Sequence, residues 1–279
     1  MASSNPAFNN SPAFSNRANI GGKFPAPSSA STQDLSAQQL TELYSQPSAT
    51  ANDTDRMTYE DTMVKILISF AVLLGGAAVG WFIPIIWIPA AIIGFVLSLV
   101  NIFKKKPSPP LVLAYAAVEG VFVGGITAFL EVRFPGIAIQ AVLATSVVIA
   151  VTFALFASGK VRASRRATKV FLIAMVGYGL FSLVNLGLMV TGINKDAFGL
   201  SSALVTIPFI GVQLPLGVIM GVFVVIMAAY SLVLDFDSIK TGVTRGAPRI
   251  YAWSAAFGLL VTVVWLYIEI LRIIALLRR

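Results

Sequence analysis

The chain has 279 residues, of which 57% are hydrophobic and 11% charged, with a formal net charge of +8. A soluble domain carries about 25% charged residues, so a globular fold of this length would lack the polar surface to cover itself, and a bilayer is the solvent that resolves the conflict. The chain holds no cysteine and no histidine, which excludes disulfides, thiolate or imidazole metal sites, thiol nucleophiles and Ser-His triads, and leaves any pH response near neutrality to carboxylates and amines.

Residues 1–56 are rich in Ser, Asn, Ala, Pro and Gln and poor in large apolar side chains. Such a segment cannot bury enough surface to offset its ordering entropy, so a disordered tail is expected. It repeats Asn5-Pro6-Ala7-Phe8 as Ser11-Pro12-Ala13-Phe14, which reads either as a low-complexity accident or as a docking motif for a protein partner. A weak amphipathic helix is expected over 34–45. No basic stretch followed by an apolar run marks a cleavable signal peptide.

Residues 57–279 read as the membrane domain. Crossing a bilayer takes about 20 apolar residues, and seven runs qualify: 63–82, 87–103, 111–130, 137–157, 170–190, 214–234 and 250–277. Pro84 and Pro89 punctuate the first connection; Lys104, Lys105 and Lys106 followed by Pro107, Pro109 and Pro110 end the second span. Phe134-Pro135-Gly136 turns the third span into the fourth, where Glu131 and Arg133 read as an interfacial pair. The short apolar stretch 203–211 is expected to be re-entrant or interfacial. The segment from Asp235 to Arg249 reads as a polar loop, and the last run is longer than one span needs. Gly120/Gly124 and Gly217/Gly221, at i and i+4, suit close helix packing.

Lys and Arg divide unevenly between the two ends of these spans, fifteen with the tail and five opposite. The positive-inside rule then puts the N-terminus in the cytoplasm and, after seven spans, the C-terminus outside a cell membrane. Basic residues clustered in short loops point to anionic lipid rather than nucleic acid as their partner.

Four acids stand out. Glu119 lies in the third span and Glu269 in the last, while Asp235 and Asp237 close the sixth. A carboxylate at bilayer depth costs about 2.5–3.5 kcal/mol even on the lenient scale, so such a group faces the bundle interior or water and marks an ion or proton path by default. The alternatives are a helix-packing hydrogen bond for Glu119, and for Asp237 a solvated acid near Lys240. Arg272 follows Glu269 at i+3, where it either neutralises the acid or snorkels to the interface.

The Asp235–Lys240 segment, Tyr267-Ile268-Glu269, the Tyr115-Ala-Ala-Val-Glu-Gly120 segment and the triple-lysine loop resemble the Bax-inhibitor-1 (transmembrane Bax inhibitor motif, YccA-like) family over about residues 60–279. The resemblance implies an all-α fold of seven transmembrane helices with the last surrounded by the other six, and a pH-sensitive calcium leak channel. It also implies an acid dyad, which falls on Asp235 and Glu269, with Asp237 as an extra acid and Lys104 as a loosely matched basic latch. Glu stands where the family has Asp in the last helix, and 34 positions separate the two acids, more than the family's usual spacing. Two carboxylates within about 4–6 Å would titrate as a unit near neutral pH, sharing a hydrogen bond when singly protonated and, fully ionised, repelling each other and offering oxygen ligands to Ca²⁺. A helix beginning at Ile250 would carry Glu269 about 28 Å along its axis, so the two acids meet only if that helix starts near Phe257. Other readings are a non-transporting regulator of a membrane protease or similar partner, and a proton-coupled transporter, for which no convincing inverted repeat is found. No nucleophile, base and metal set suggests an enzyme, and no cofactor is implied.

Overall fold

The computed structural model describes residues 55–196, 198–206 and 211–279. The Pro-Ala-Phe repeat, the expected helix over 34–45 and nearly all of the 1–56 tail lie outside the described residues. Seven helices are long and apolar enough to cross a membrane. They are α1 (Tyr59–Phe82), α2 (Trp87–Phe103), α3 (Pro109–Arg133), α4 (Ile137–Ala157), α5 (Arg165–Val190), α6 (Leu216–Thr244) and α7 (Ala252–Leu277). The protein is therefore an all-α polytopic membrane protein.

Local chemistry sets the boundaries. The Thr58 hydroxyl accepts from the Asp61 amide at 3.1 Å to cap α1, and Ser164 caps α5 through the Ala167 amide at 3.2 Å; each satisfies an amide that the first turn leaves without a partner. Pro84 opens a single 3₁₀ turn between α1 and α2. At the α3–α4 turn Gly136 takes φ +83°, a left-handed conformation that favours glycine. Glu131 accepts from the Gly136 and Ala138 amides at 2.6 and 2.8 Å. It caps α4 in this way rather than forming the expected pair with Arg133.

One expectation about a connection is corrected and another is narrowed. α6 runs ten residues past its expected end at Leu234, so Asp235 and Asp237 are helical, not part of a loop. The cause is a packing stripe that continues through Asp235, Ile239 and Gly242, all buried at helical spacing. The stretch after residue 203 forms strand β1 (Leu204–Thr206), antiparallel to β2 (Gln213–Pro215), with Val205 opposite Leu214. Leu204 is exposed, which suits an interfacial position rather than a re-entrant helix.

α7 is the axis of the bundle. It packs on α6, α1, α4 and α3, while α2 lies chiefly on α3. Seventeen of the 26 residues of α7 are buried, against Phe171 alone in α5. The termini of the described chain fall on opposite faces. On the N-terminal face, the Met57 amide donates to the Ala247 carbonyl at 2.7 Å and the Arg249 amide to the Asp55 carbonyl at 2.9 Å. On the C-terminal face, Arg278 donates to the Pro135 carbonyl at 2.8 Å and Arg279 to Asp196 at 2.9 Å.

The tightest seam joins α1 to α3. A Cβ on Gly120 or Gly124 would clash with the carbonyl oxygens of Leu73 or Ala77, and one on Gly76 or Gly80 with those of Ala117 or Val121. In lipid, such close approach replaces the hydrophobic drive that water would supply. Gly75, on the same helix, has no heavy atom within 4 Å of a Cβ. Gly124→Leu is therefore expected to cost about 3 kcal/mol, seen as a lowered thermal midpoint in detergent, whereas Gly75→Ala is expected to be neutral or stabilising by up to about 1 kcal/mol.

Candidate functional site

The α6–α7 seam carries two buried acids. Asp235 sits on the packing stripe of α6 and is fully buried. The Thr262 hydroxyl of α7 donates to its Oδ2 at 2.6 Å, and the Ser231 hydroxyl lies 3.4 Å from that of Thr262. A buried carboxylate is costly unless its oxygens are satisfied, and α7 supplies the donor.

Glu269 is 3% exposed and draws together three helices. The Tyr178 hydroxyl of α5 donates to Oε2 at 2.9 Å, and Arg272 Nη2 of α7 donates to Oε1 at 2.5 Å. Its carboxylate packs against Gly221 of α6, where a Cβ would lie 3.2 Å from Oε1. The guanidinium also lies 5.8 Å from the centre of the Tyr178 ring, a cation–π arrangement. Of the two readings of Arg272, the structure takes the local one: the i+3 spacing closes an ion pair. Arg272 Nε is buried without a partner among the described residues.

The expected direct pairing of Asp235 with Glu269 is not formed. Thr262, which holds Asp235, precedes Glu269 by about 10.5 Å of helix rise, and Gly221, which receives Glu269, precedes Asp235 by about 21 Å along α6. The physical reason is the start of α7 at Ala252, five residues ahead of the point where the two acids would meet. The two carboxylates therefore sit as separate stations along the seam. Among the described residues no group of three or more acids gathers as a metal site.

The other sequence candidates lie elsewhere. Glu119 points from α3 into the α2 seam, where a Cβ on Gly94 would lie 2.6 Å from its Oε2. Asp237 is half-buried one turn before Lys240, and the two form no ion pair among the described residues. Lys104 caps the end of α2 and is exposed; the base that meets Glu269 is Arg272.

Sequence reasoning missed Tyr178 and Thr262. Thr262 carried a usable signal, because it lies seven residues before Glu269 and so on the same face of the helix. Tyr178 had none, since nothing local ties α5 to α7.

The family model described as Bax inhibitor 1 like matches residues 5–279. The chain belongs to this family. No match is found among curated proteins. The match covers every described residue, so the α6–α7 seam of this Bax inhibitor 1 like protein, with both acids, lies inside the family region.

The ion pair at Glu269 makes a direct prediction. Breaking a buried pair from one side strands the other charge. Arg272→Met is expected to cost about 3 kcal/mol, and Glu269→Gln/Arg272→Met to recover most of it. Unfolding midpoints of the two single variants and the double variant check this.

Proposed function

We propose that this Bax inhibitor 1 like protein is a proton-sensitive cation leak pathway along the α6–α7 seam, with Ca²⁺ as the ion. The observation that carries the reading is the pair of buried carboxylates at different depths on one helix seam. Glu269 is held by the side chains of Tyr178 and Arg272 and Asp235 accepts from the Thr262 hydroxyl, contacts that rotamer changes can release. In the closed arrangement Arg272 neutralises Glu269 and Thr262 satisfies Asp235. Release of Arg272 leaves a line of oxygens along the seam, from Asp235, Thr262 and Ser231 to Glu269. Oxygen ligands suit a hard cation such as Ca²⁺, and two separated stations suit conduction, which needs binding weak enough to leave. Protons act on each acid singly. Protonating Asp235 or Glu269 removes the charge that attracts a cation, and at Glu269 it leaves Arg272 as an uncompensated positive charge. Flux is therefore expected to fall as pH falls.

Proteoliposomes with an entrapped calcium dye test this. Asp235→Asn and Glu269→Gln are each expected to lower Ca²⁺ flux about tenfold, equivalent to about 1.4 kcal/mol of barrier, and to flatten its pH profile. Unchanged flux and an unchanged profile in both variants would overturn the reading.

The cytoplasmic placement of the N-terminus in a cell membrane belongs to the same proposal, supported by the excess of basic residues on the N-terminal face. The chain has no cysteine, so single cysteines at Lys105 and Lys195 report it cleanly. In intact cells an impermeant thiol reagent is expected to label the Lys195→Cys variant and not Lys105→Cys.

A regulator role for the tail has one structural observation in its favour. The chain leaves the described bundle at Asp55, which is bonded to Arg249 at the entry to α7. A protein partner held by residues 1–54 would pull on that junction. Deleting those residues is expected to abolish partner binding while the Ca²⁺ leak persists.

A further inference from the structure

We infer that the groove between α1 and α4, on the half of the bundle nearer the C-terminal face, is a binding site for a single acyl chain of a membrane lipid. α1 and α4 both pack on α7, yet they barely touch each other. The gap between them is a cavity of about 480 Å³, inside the range of sites that hold small ligands. Leu74 and Trp81 form one wall, Val142 and Ile149 the other, and Val264 and Tyr267 of α7 the floor. Thr145 lines the second wall at 5% exposure, and its hydroxyl has no partner among the described residues.

The occupant follows from the surroundings. Leu74, Trp81 and Val142 at the mouth are 65%, 40% and 49% exposed, so the groove is continuous with the lipid-facing surfaces of two spans. Its upper end is set by Trp81 and Ala138, each within one turn of a helix end on the C-terminal face. Ile149 lies about 16 Å further along α4 than Ala138. The groove therefore runs from the membrane boundary to about the midplane, which is the course of one acyl chain in that leaflet. An empty apolar void forfeits dispersion contacts on every lining atom, and water gains too few polar partners there to fill it. A chain entering sideways from the leaflet loses no contacts that the groove does not return.

The floor gives the site its reach. Tyr267 hydrogen-bonds Thr127 of α3 at 2.9 Å and lies two residues before Glu269. A chain lying in the groove therefore rests against the axial helix at Val264 and Tyr267. The inference stands whether or not the seam conducts ions.

The test uses the full chain in liposomes containing a phosphatidylcholine with a diazirine midway along one acyl chain. After irradiation, adducts are mapped by peptide mass spectrometry. Adducts are expected on α7 between Val263 and Tyr267 and at Thr127, saturating with probe fraction and displaced by unlabelled lipid. Ala138→Phe and Ser146→Phe each place a ring in the groove from α4. In both, α7 adducts are expected to drop at least fivefold, while adducts at the exposed Phe95 of α2 stay unchanged. Adducts confined to lipid-facing positions of the wild-type chain overturn the inference, and so do α7 adducts that persist undiminished in both filled variants.

Discussion

A carboxylate in hydrocarbon has to be neutralised, hydrogen-bonded or hidden, and that constraint on Glu269 organises the bundle. Its charge is met by Arg272 one turn away and its second oxygen by Tyr178. Room for the carboxylate exists because α6 presents Gly221 at that level. The helix that carries it is accordingly the most enclosed one. α1, α3, α4 and α6 shield α7 from lipid, and α5, otherwise lipid-facing, contributes the Tyr178 hydroxyl to Glu269. An Ala or a Leu at position 269 would impose none of these requirements.

How much of this the sequence discloses depends on the range of the interaction. The existence of seven spans is legible because hydrophobic length is a local property, and α2 and α4 match their expected limits. The end of α6 is not legible from polarity: Asp235, Asp237, Ser238 and Lys240 look like a loop, yet Ile239 and Gly242 keep the apolar stripe in phase and the helix continues. Pairing Asp235 with Glu269 failed for a related reason. The family resemblance supplies two acids on adjacent helices, but their relative height is set by where α7 begins, and the apolar run from 250 to 277 fits several starting points. The pair that does form, Glu269 with Arg272, was visible as an i+3 spacing, and only the enclosure by α6 and α5 decides between it and snorkelling.

Packing is distributed unevenly, and the unevenness has a physical origin. Between α1 and α3 four glycines bring backbones into contact, which fixes that pair as one rigid unit. α5 has glycines too, but Gly177, Gly179 and Gly187 meet nothing within 4 Å. Small residues permit close approach without compelling it. On α5 they leave a thin helix joined to the rest at separate points. Thr168 lies 2.9 Å from the Tyr230 hydroxyl near one end. The Asn185 side chain accepts from the Leu200 amide at 2.6 Å near the other. Tyr178 meets Glu269 between them.

This contrast indicates which element moves if the Glu269 cluster opens. α7 is anchored at its entry by Arg249, whose side chain bonds Asp61 at 2.8 Å, and by Lys65, which donates to the Arg249 carbonyl at 3.0 Å. Asp61 is also paired with Lys65 at 2.5 Å, and both side chains are nearly buried. The far end is held less firmly, since the Arg279–Asp196 pair is exposed on both sides and such pairs contribute little. Sliding α7 would break the stronger anchor and drag its whole buried face past four neighbours. Displacing α5 breaks the Tyr178 hydrogen bond and cation–π contact and parts the small apolar cluster that Phe171, Ala174 and Met175 form with Met227, Leu234 and Trp265, while its lipid-facing surface stays in lipid throughout. Because close-packed cores rearrange between discrete arrangements rather than deform continuously, the low-cost opening of the Glu269 cluster is an outward shift of α5 around its two end contacts, with α7 staying in place as the fixed axis.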